Sequence, residues 1–380
     1  MPQRLLALVV LATAFLATAL PASARTERAT GADRYIVVLK TGVDANTIAA
    51  LHAQRYGAGV GFIYSFALKG YSAVIPNDRV AALRLDENVA YVEADGEATA
   101  NAQSLPWGID RIDADVSSTL AGNGSGAVSN VHVYVIDTGV DRTHPDLNVV
   151  GFVSYVGGPK TDCNGHGTHV AGTIAAKDDA FGVVGVAPGA PVTGVKVLGC
   201  NGSGSYSAVI AGIDWVTANA VKPAIANMSL GGPADNAVDN AVRNSAASGV
   251  FYSLAAGNSG ADACGQSPAR AGAGTDNGIM TVAAVDASDA EASWSNYGSC
   301  VDVWAPGVSV LSDWKGGGTN TISGTSMASP HVGGTGALYL SSHTSASSSS
   351  VESALKTDTA ATNRASKDGR QIRVVYAGGY

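Results

Sequence analysis

The chain has 380 residues, of which 47 are Gly, only 14% are charged, and the net charge is −8. That length admits one large domain and a smaller one, without the charge runs of a disordered chain. Residues 1–99 carry nine Lys+Arg and nine Asp+Glu, leaving 14 against 22 in the rest, so the negative excess is entirely C-terminal and argues against nucleic-acid binding.

Taken in order, Arg4, the apolar run Leu5 to Leu20 and the small residues Ala22-Ser23-Ala24 have the layout of a secretory signal over 1–24. The run is short for a membrane anchor, and no stop-transfer cluster follows it. Export makes Cys163, Cys200, Cys264 and Cys300 a disulfide set with three connectivities open. No C-x-x-C or Cys/His cluster suggests zinc.

A β-branched run at 34–40 predicts a strand, and 44–56, with Ile48, Leu51 and Tyr56 near helical spacing, predicts a helix. Strands at 60–64 and 71–75, a helix opening at Asn77 and a strand at 89–93 complete a β-α-β-β-α-β order. This is the pattern of a small α+β, ferredoxin-like domain. The polar, aperiodic stretch 94–104 reads as an exposed linker and a processing site.

Beyond Pro106, continuous apolar runs at 131–136, 192–198, 224–228, 250–255 and 279–285 alternate with helical stretches at 166–176, 205–219 and 236–248. Runs of that kind belong to a parallel sheet buried on both faces. The expectation is an α/β fold, an open mostly parallel sheet with helices on both faces and its site at the carboxyl ends of the strands. The serine-rich stretch 341–350 reads as a solvated connector before a last helix at 351–357.

Three places carry candidate chemistry. Asp137 ends the 131–136 strand, where a carboxylate is either a turn cap or a functional acid. His166 and His169 lie on a glycine-flanked loop entering a helix, and no His is followed by Glu as a helical zinc hydrolase requires. Ser326 precedes an apolar helix, where it is either an N-cap or a nucleophile at the positive end of the dipole.

The segments around Asp137, His169 and Ser326 resemble the three signature motifs of the subtilisin-like serine proteases, in that family's chain order. Within the family the likeness is to the secreted proteinase K branch and its disulfide-bonded aqualysin type. It covers most of 104–340, and 33–95 resembles the inhibitory propeptide. The resemblance implies a signal peptide over 1–24, a propeptide over 25–99 and a peptidase domain over 100–380. It implies an extracellular serine endopeptidase that attacks proteins and peptides. Ser326 would be the nucleophile, His169 the general base and Asp137 its orienter, with Asn258 as oxyanion donor. His166, His144 and His331 are then structural.

By the same resemblance the cleft has two edges, Gly202, Gly204 and Tyr206 on one side and Ser229, Leu230 and Gly231 on the other, with an extended peptide between them. Ala255, Ala256 and Gly257 complete the first pocket. Its walls are small and contain no acidic residue, which predicts a broad preference for apolar or aromatic side chains. Disulfides Cys163–Cys200 and Cys264–Cys300 are implied, each worth about 3 to 4 kcal/mol in the chain-entropy account. Calcium is the implied structural cofactor, with Asp302 in the principal site and Asp110 and Asp113 in another. The precursor is expected to process itself between Glu97 and Gln103, with Ala100 the mature start. The propeptide would act as chaperone and inhibitor, and the product would be a monomer without a membrane anchor.

Three departures stand out. The loop 268–278 is longer than usual, the loop before Cys163 is short, and Val332-Gly333-Gly334-Thr335-Gly336 is glycine-rich for a helix. A catalytically silent binding homologue is the alternative, but all four catalytic positions are filled. An esterase of the lipase type would need a G-x-S-x-G that is absent.

Overall fold

The computed structural model describes residues 32–96, 103–274 and 276–380. The expected signal segment and the expected cut around Ala100 lie outside these residues. The chain separates into two compact units, residues 1–99 and 100–380.

Unit 1 contains β1 (Ala32–Leu39), α1 (Ala45–Tyr56), β2 (Gly59–Tyr64), β3 (Gly70–Pro76), α2 (Asn77–Arg84) and β4 (Val89–Ala94). Asp44 caps α1 by accepting from Thr47 N, and Gly57 ends it in the left-handed region. The strands form an antiparallel sheet in the order β2-β3-β1-β4. Val37, Tyr71, Ile75 and Leu83 are wholly buried between sheet and helices. The β-α-β-β-α-β order expected from periodicity is the one observed.

In unit 2 a short α3 (Trp107–Arg111) leads to β5 (His132–Asp137), β6 (Val149–Ser154), α4 (His166–Ala175), β7 (Val192–Lys196), α5 (Tyr206–Asn219) and β8 (Ala224–Met228). Then follow β9 (Gly232–Pro233), α6 (Asn236–Ala247), β10 (Val250–Ala255), β11 (Gln266–Ser267), β12 (Ile279–Val285) and β13 (Val303–Pro306). The chain ends with β14 (Val310–Trp314), β15 (Gly318–Ile322), α7 (Thr325–Ser342), α8 (Ser348–Thr357), β16 (Ala360–Ala365) and β17 (Gln371–Val374).

The main sheet runs β16-β17-β13-β12-β10-β8-β5-β7-β6 and is parallel except where β16 meets β17. Its strands are apolar on both faces. Val133 and Val135 of β5 face one core, with α4 and α7, while Tyr134 and Ile136 face the other, with α5 and α6. Strands β6, β16 and β17 and the β14–β15 hairpin were not anticipated. β15 and β16 carry Gly, Thr and Asn rather than apolar stretches, whereas β6 is apolar and was passed over. The serine-rich connector is also shorter than expected, because Ser347 accepts from Ser350 N and starts α8 at Ser348.

Helix α7 has buried residues on every side. A Cβ at Gly334 would stand 2.5 Å from Val186 Cβ, and one at Gly336 would stand 2.6 Å from a Phe251 ring carbon. The glycines therefore let strands and neighbouring loops close on the helix, which offsets their low helix propensity.

Candidate active site

Asp137 ends β5 at the carboxyl edge of the sheet and is wholly buried. Its Oδ1 accepts from Thr138 N at 2.6 Å and lies 2.8 Å from Nδ1 of His166. An ionised carboxylate can only accept, so Nδ1 of His166 carries the hydrogen and Nε2 keeps its lone pair. His166 opens α4, and a quarter of its side chain is exposed. Burial works against its charged form, but the Asp137 carboxylate outweighs this and holds the imidazole pKa above its ordinary 6.5.

This corrects the expectation for His169. That residue lies almost one turn further along α4, is wholly buried, and has Nε2 at 3.0 Å from Val310 O and 3.2 Å from Asn320 O. Burial pushes its pKa down to about 4, so it is a neutral imidazole tying α4 to the β14–β15 hairpin. The histidine set aside as structural is the one paired with Asp137. The signal that separates the two is the helix start: the first residue of α4 faces the ends of the strands, and the fourth packs into the interior. His331 and His144 are buried, with ring nitrogens at Met327 O and Gly318 O respectively.

Asp162, which motif reading passed over, holds the loop that presents His166. Its Oδ1 accepts from Thr138 Oγ1, Asn164 N and Gly165 N, and its Oδ2 accepts from Thr168 N and Oγ1. Asn164 Nδ2 donates to Cys200 O, and the disulfide Cys163–Cys200 ties the same loop to 199–204. The second disulfide is Cys264–Cys300.

Ser326 is the second residue of α7, not its N-cap, which is Gly324. Its hydroxyl donates to Ser229 O at 3.1 Å, while Ser229 Oγ donates to Ser326 O at 2.7 Å. Ser326 and Asn258 line a cavity of about 240 Å³ with Leu230, Gly231, Ala255 and Gly257. His166 lines a neighbouring cavity of about 330 Å³ with Gly202, Gly204, Tyr206 and Ser229, and Leu230 and Gly231 form a wall of both. The Oδ1 of Asn258 accepts from Thr325 N and Thr325 Oγ1, both at 2.8 Å. Its Nδ2 group is thereby left as the donor at the exposed end of the side chain.

Two further differences concern the pocket. Ala256 is wholly buried in the core and does not line the cavity, whereas Gln266 does. The Gln266 carboxamide, 3.5 Å from Ser259 Oγ, adds an uncharged polar group to a pocket expected to have small walls and no acidic residue.

The calcium expectation at Asp302 does not fit. Its Oδ2 accepts from Thr281 N, and its Oδ1 faces the Lys356 ammonium at 3.0 Å, which also meets Asp276 and Glu352. An internal cation thus neutralises the place where a metal ligand was expected. Burial still pushes the Asp302 pKa up to about 6. Asp110 and Asp113 join no third such side chain, since the described residues contain no metal-competent group of three His, Cys, Asp or Glu. Oxygens suited to a hard cation converge elsewhere. Gln103 Nε2 lies 2.6, 3.4 and 3.1 Å from the carbonyls of Lys177, Phe181 and Val183, more acceptors than its two hydrogens serve. Asp146 accepts from Val183 N through Oδ2, while its buried Oδ1 has no partner.

Comparison with known proteins gives matches over both units. Residues 128–373 match the subtilase family, peptidase S8, and residues 34–100 match peptidase inhibitor I9. The chain is 47% identical over 327 residues to the extracellular serine proteinase of Thermus sp. (strain Rt41A), covering 83% of this chain and 76% of that protein. It is 45% identical over 313 residues to alkaline serine exoprotease A of Vibrio alginolyticus, covering 78% of this chain and 56% of that protein. The crystal structure of a cold adapted subtilisin-like serine proteinase superposes with a TM-score of 0.62 at 42% identity, covering 73% of this chain and 98% of that one.

Proposed function

From the fact that the chain belongs to the subtilase family of serine peptidases, we propose a triad of Ser326, His166 and Asp137 that cleaves peptide bonds through an acyl-enzyme. The observation that carries this reading is the 2.8 Å pair between His166 Nδ1 and Asp137 Oδ1, with Nε2 left as the base. The Ser326 hydroxyl turns from Ser229 O to that nitrogen, gives up its proton, and attacks the substrate carbonyl carbon. The Asn258 Nδ2 group and the Ser326 N–H, a helix N-terminal amide free of intrahelical partners, receive the resulting oxyanion. The intermediate collapses, and the leaving amine takes the proton back from His166. Water then repeats the sequence on the ester and frees Ser326. Asp137 fixes the tautomer and stabilises the imidazolium throughout.

The substrate is an extended segment of a protein or peptide lying between 202–204 and 229–231. Small walls favour apolar or aromatic side chains in the first pocket, and Gln266 extends the range to uncharged polar ones. Calcium, if bound, is structural. Gln103 through its amide oxygen, the carbonyls of Lys177, Phe181 and Val183, and Asp146 are the groups that would hold it.

The enzyme is made as a precursor, is exported like the relative named as extracellular, and carries its I9 segment as its own inhibitor. Self-processing near Ala100 is tested by expressing Ser326→Ala. The mutant should keep residues up to about 99 in a protease-free host, and its maturation there at the wild-type rate would disprove the role given to Ser326.

A further inference from the structure

Lys196 ends β7 and is the cross-strand partner of Asp137 on β5. Its side chain is wholly buried, donates to Thr138 O, and stands 3.6 Å from Cys163 Sγ. Lysine is almost never buried to this degree unless its charge is compensated. Burial lowers its pKa, and the negative charges of Asp162 and then Asp137 oppose that shift. Both carboxylates already serve His166, Asp137 by direct pairing and Asp162 by holding its loop. Thr138, whose carbonyl takes the lysine's hydrogen bond, also accepts Gly167 N through Oγ1 in the first turn of α4. No proton step of the proposed reaction uses Lys196.

We propose that Lys196 is a positioning residue of the peptidase reaction, its buried ammonium opposing the charge of Asp137 and Asp162 behind His166. The inference rests on the assignment of His166 as the base. Asp137 from β5 and Asp162 from the loop before α4 act on that imidazole, neutral His169 lies along α4, and Lys196 from β7 bears on the two carboxylates behind it. Two buried carboxylates alone would bind the imidazole proton so firmly that the base would be occupied at neutral pH. The ammonium offsets them, so His166 is free to accept the Ser326 proton and is still stabilised once it has done so.

Lys196→Met removes the charge while keeping most of the side-chain length. In the mature enzyme it should move the acid limb of kcat/KM upward by about half to one pH unit. A purely structural lysine would lower thermal stability and leave the limb in place, and that result overturns the proposal. His166→Ala, assayed in parallel, separates the two readings: if it stays active, the base assignment fails. If it is inactive while Lys196→Met shows an unmoved limb, only the role of Lys196 fails. Should Lys196→Met not fold, lysine ¹³Cε titration of the wild-type enzyme decides. The buried lysine must remain charged across the acid limb, and a signal already neutral there overturns the inference.

Discussion

Pro330 frees the carbonyl of Ser326. Four residues along α7 it has no N–H to give back, and the vacated acceptor takes the Ser229 hydroxyl at 2.7 Å. A proline inside a helix thus becomes the means by which the Ser229 side chain grips the backbone of Ser326. Ser229→Ala should leave Ser326 O and Asn227 Nδ2 short of a partner, with a loss of about 1 to 3 kcal/mol in stability. Turnover should fall roughly tenfold as the serine loosens, by the steepness of rate on geometry. Calorimetry and kcat on a peptide substrate check both, and unchanged kcat would remove any catalytic meaning from the contact.

The two histidines of α4 should separate cleanly. His166→Ala should lower kcat by about 10⁴ to 10⁶, the range for loss of a triad member. His169→Asn should keep kcat within about tenfold and instead lower the melting temperature, as expected for a broken buried hydrogen bond. Because Asp137 holds the His166 pKa above 6.5, activity should fall as pH drops through a value above 6.5. His169, with its pKa near 4, adds nothing to that limb.

Unit 1 should be acid-labile. His52 is wholly buried with Nδ1 at 2.6 Å from Tyr71 OH, and burial holds its pKa below 6.5 despite the nearby Asp86 carboxylate. Burial also opposes the charge on Asp86, but bonds from Asn88 N and Tyr56 OH outweigh it and bring the pKa from 3.8 to about 2. Both groups bind protons more readily when unfolded, so their contributions are present above the unfolded pKa and lost as pH falls. For His52 the loss begins near 6.5, and for Asp86 it runs from 3.8 down toward 2. The Asp86 share is on the order of 2 kcal/mol at neutral pH. Calorimetry of the Ser326→Ala precursor should therefore show a unit-1 transition that falls between pH 7 and 5 and steeply below 4. A flat response above pH 5 would contradict a neutral buried His52.

Calcium should act at Gln103 and not at Asp302. Adding calcium at about a hundred times its dissociation constant should raise the stability of the mature enzyme by about 2.7 kcal/mol, reversibly with a chelator. Gln103→Ala should abolish most of that response. Asp302→Asn should leave it intact, since Lys356 occupies that carboxylate. A calcium response that survives Gln103→Ala but disappears in Asp302→Asn would reverse the assignment.

Individual strands of the parallel sheet were legible where they were apolar on both faces, as in β5, because burial on two sides favours an uninterrupted apolar run; their order in the sheet was not. Asp137, Ser326 and Asn258 were singled out through the resemblance of their surrounding motifs, since the local sequence left each open to a turn or cap reading, and Ser326 and Asn258 line one cavity. The choice between His166 and His169 was not legible. Both lie on the same glycine-flanked turn, and only the first residue of α4 meets the strand ends. Lys356 reaches Asp302 from a helix far along the chain, and Gln266 enters the pocket from a two-residue strand, so neither left a local pattern. The glycines of α7 looked like a weakness in one dimension and prove to be contact points in three.

Tyr206 starts α5 on one edge of the cleft and donates its hydroxyl to Pro233 O just beyond the other, at 2.6 Å. This strut fixes the width of the channel, so accommodation falls to the substrate. A segment enters only if its own fold can release it as a flat single strand. Under the proposed function, discrimination would lie less among side chains than among degrees of order, with cleavage where local unfolding of the target costs least. A tightly folded protein would be spared at sites whose side chains fit the pocket perfectly, and its first cut would fall where it breathes most.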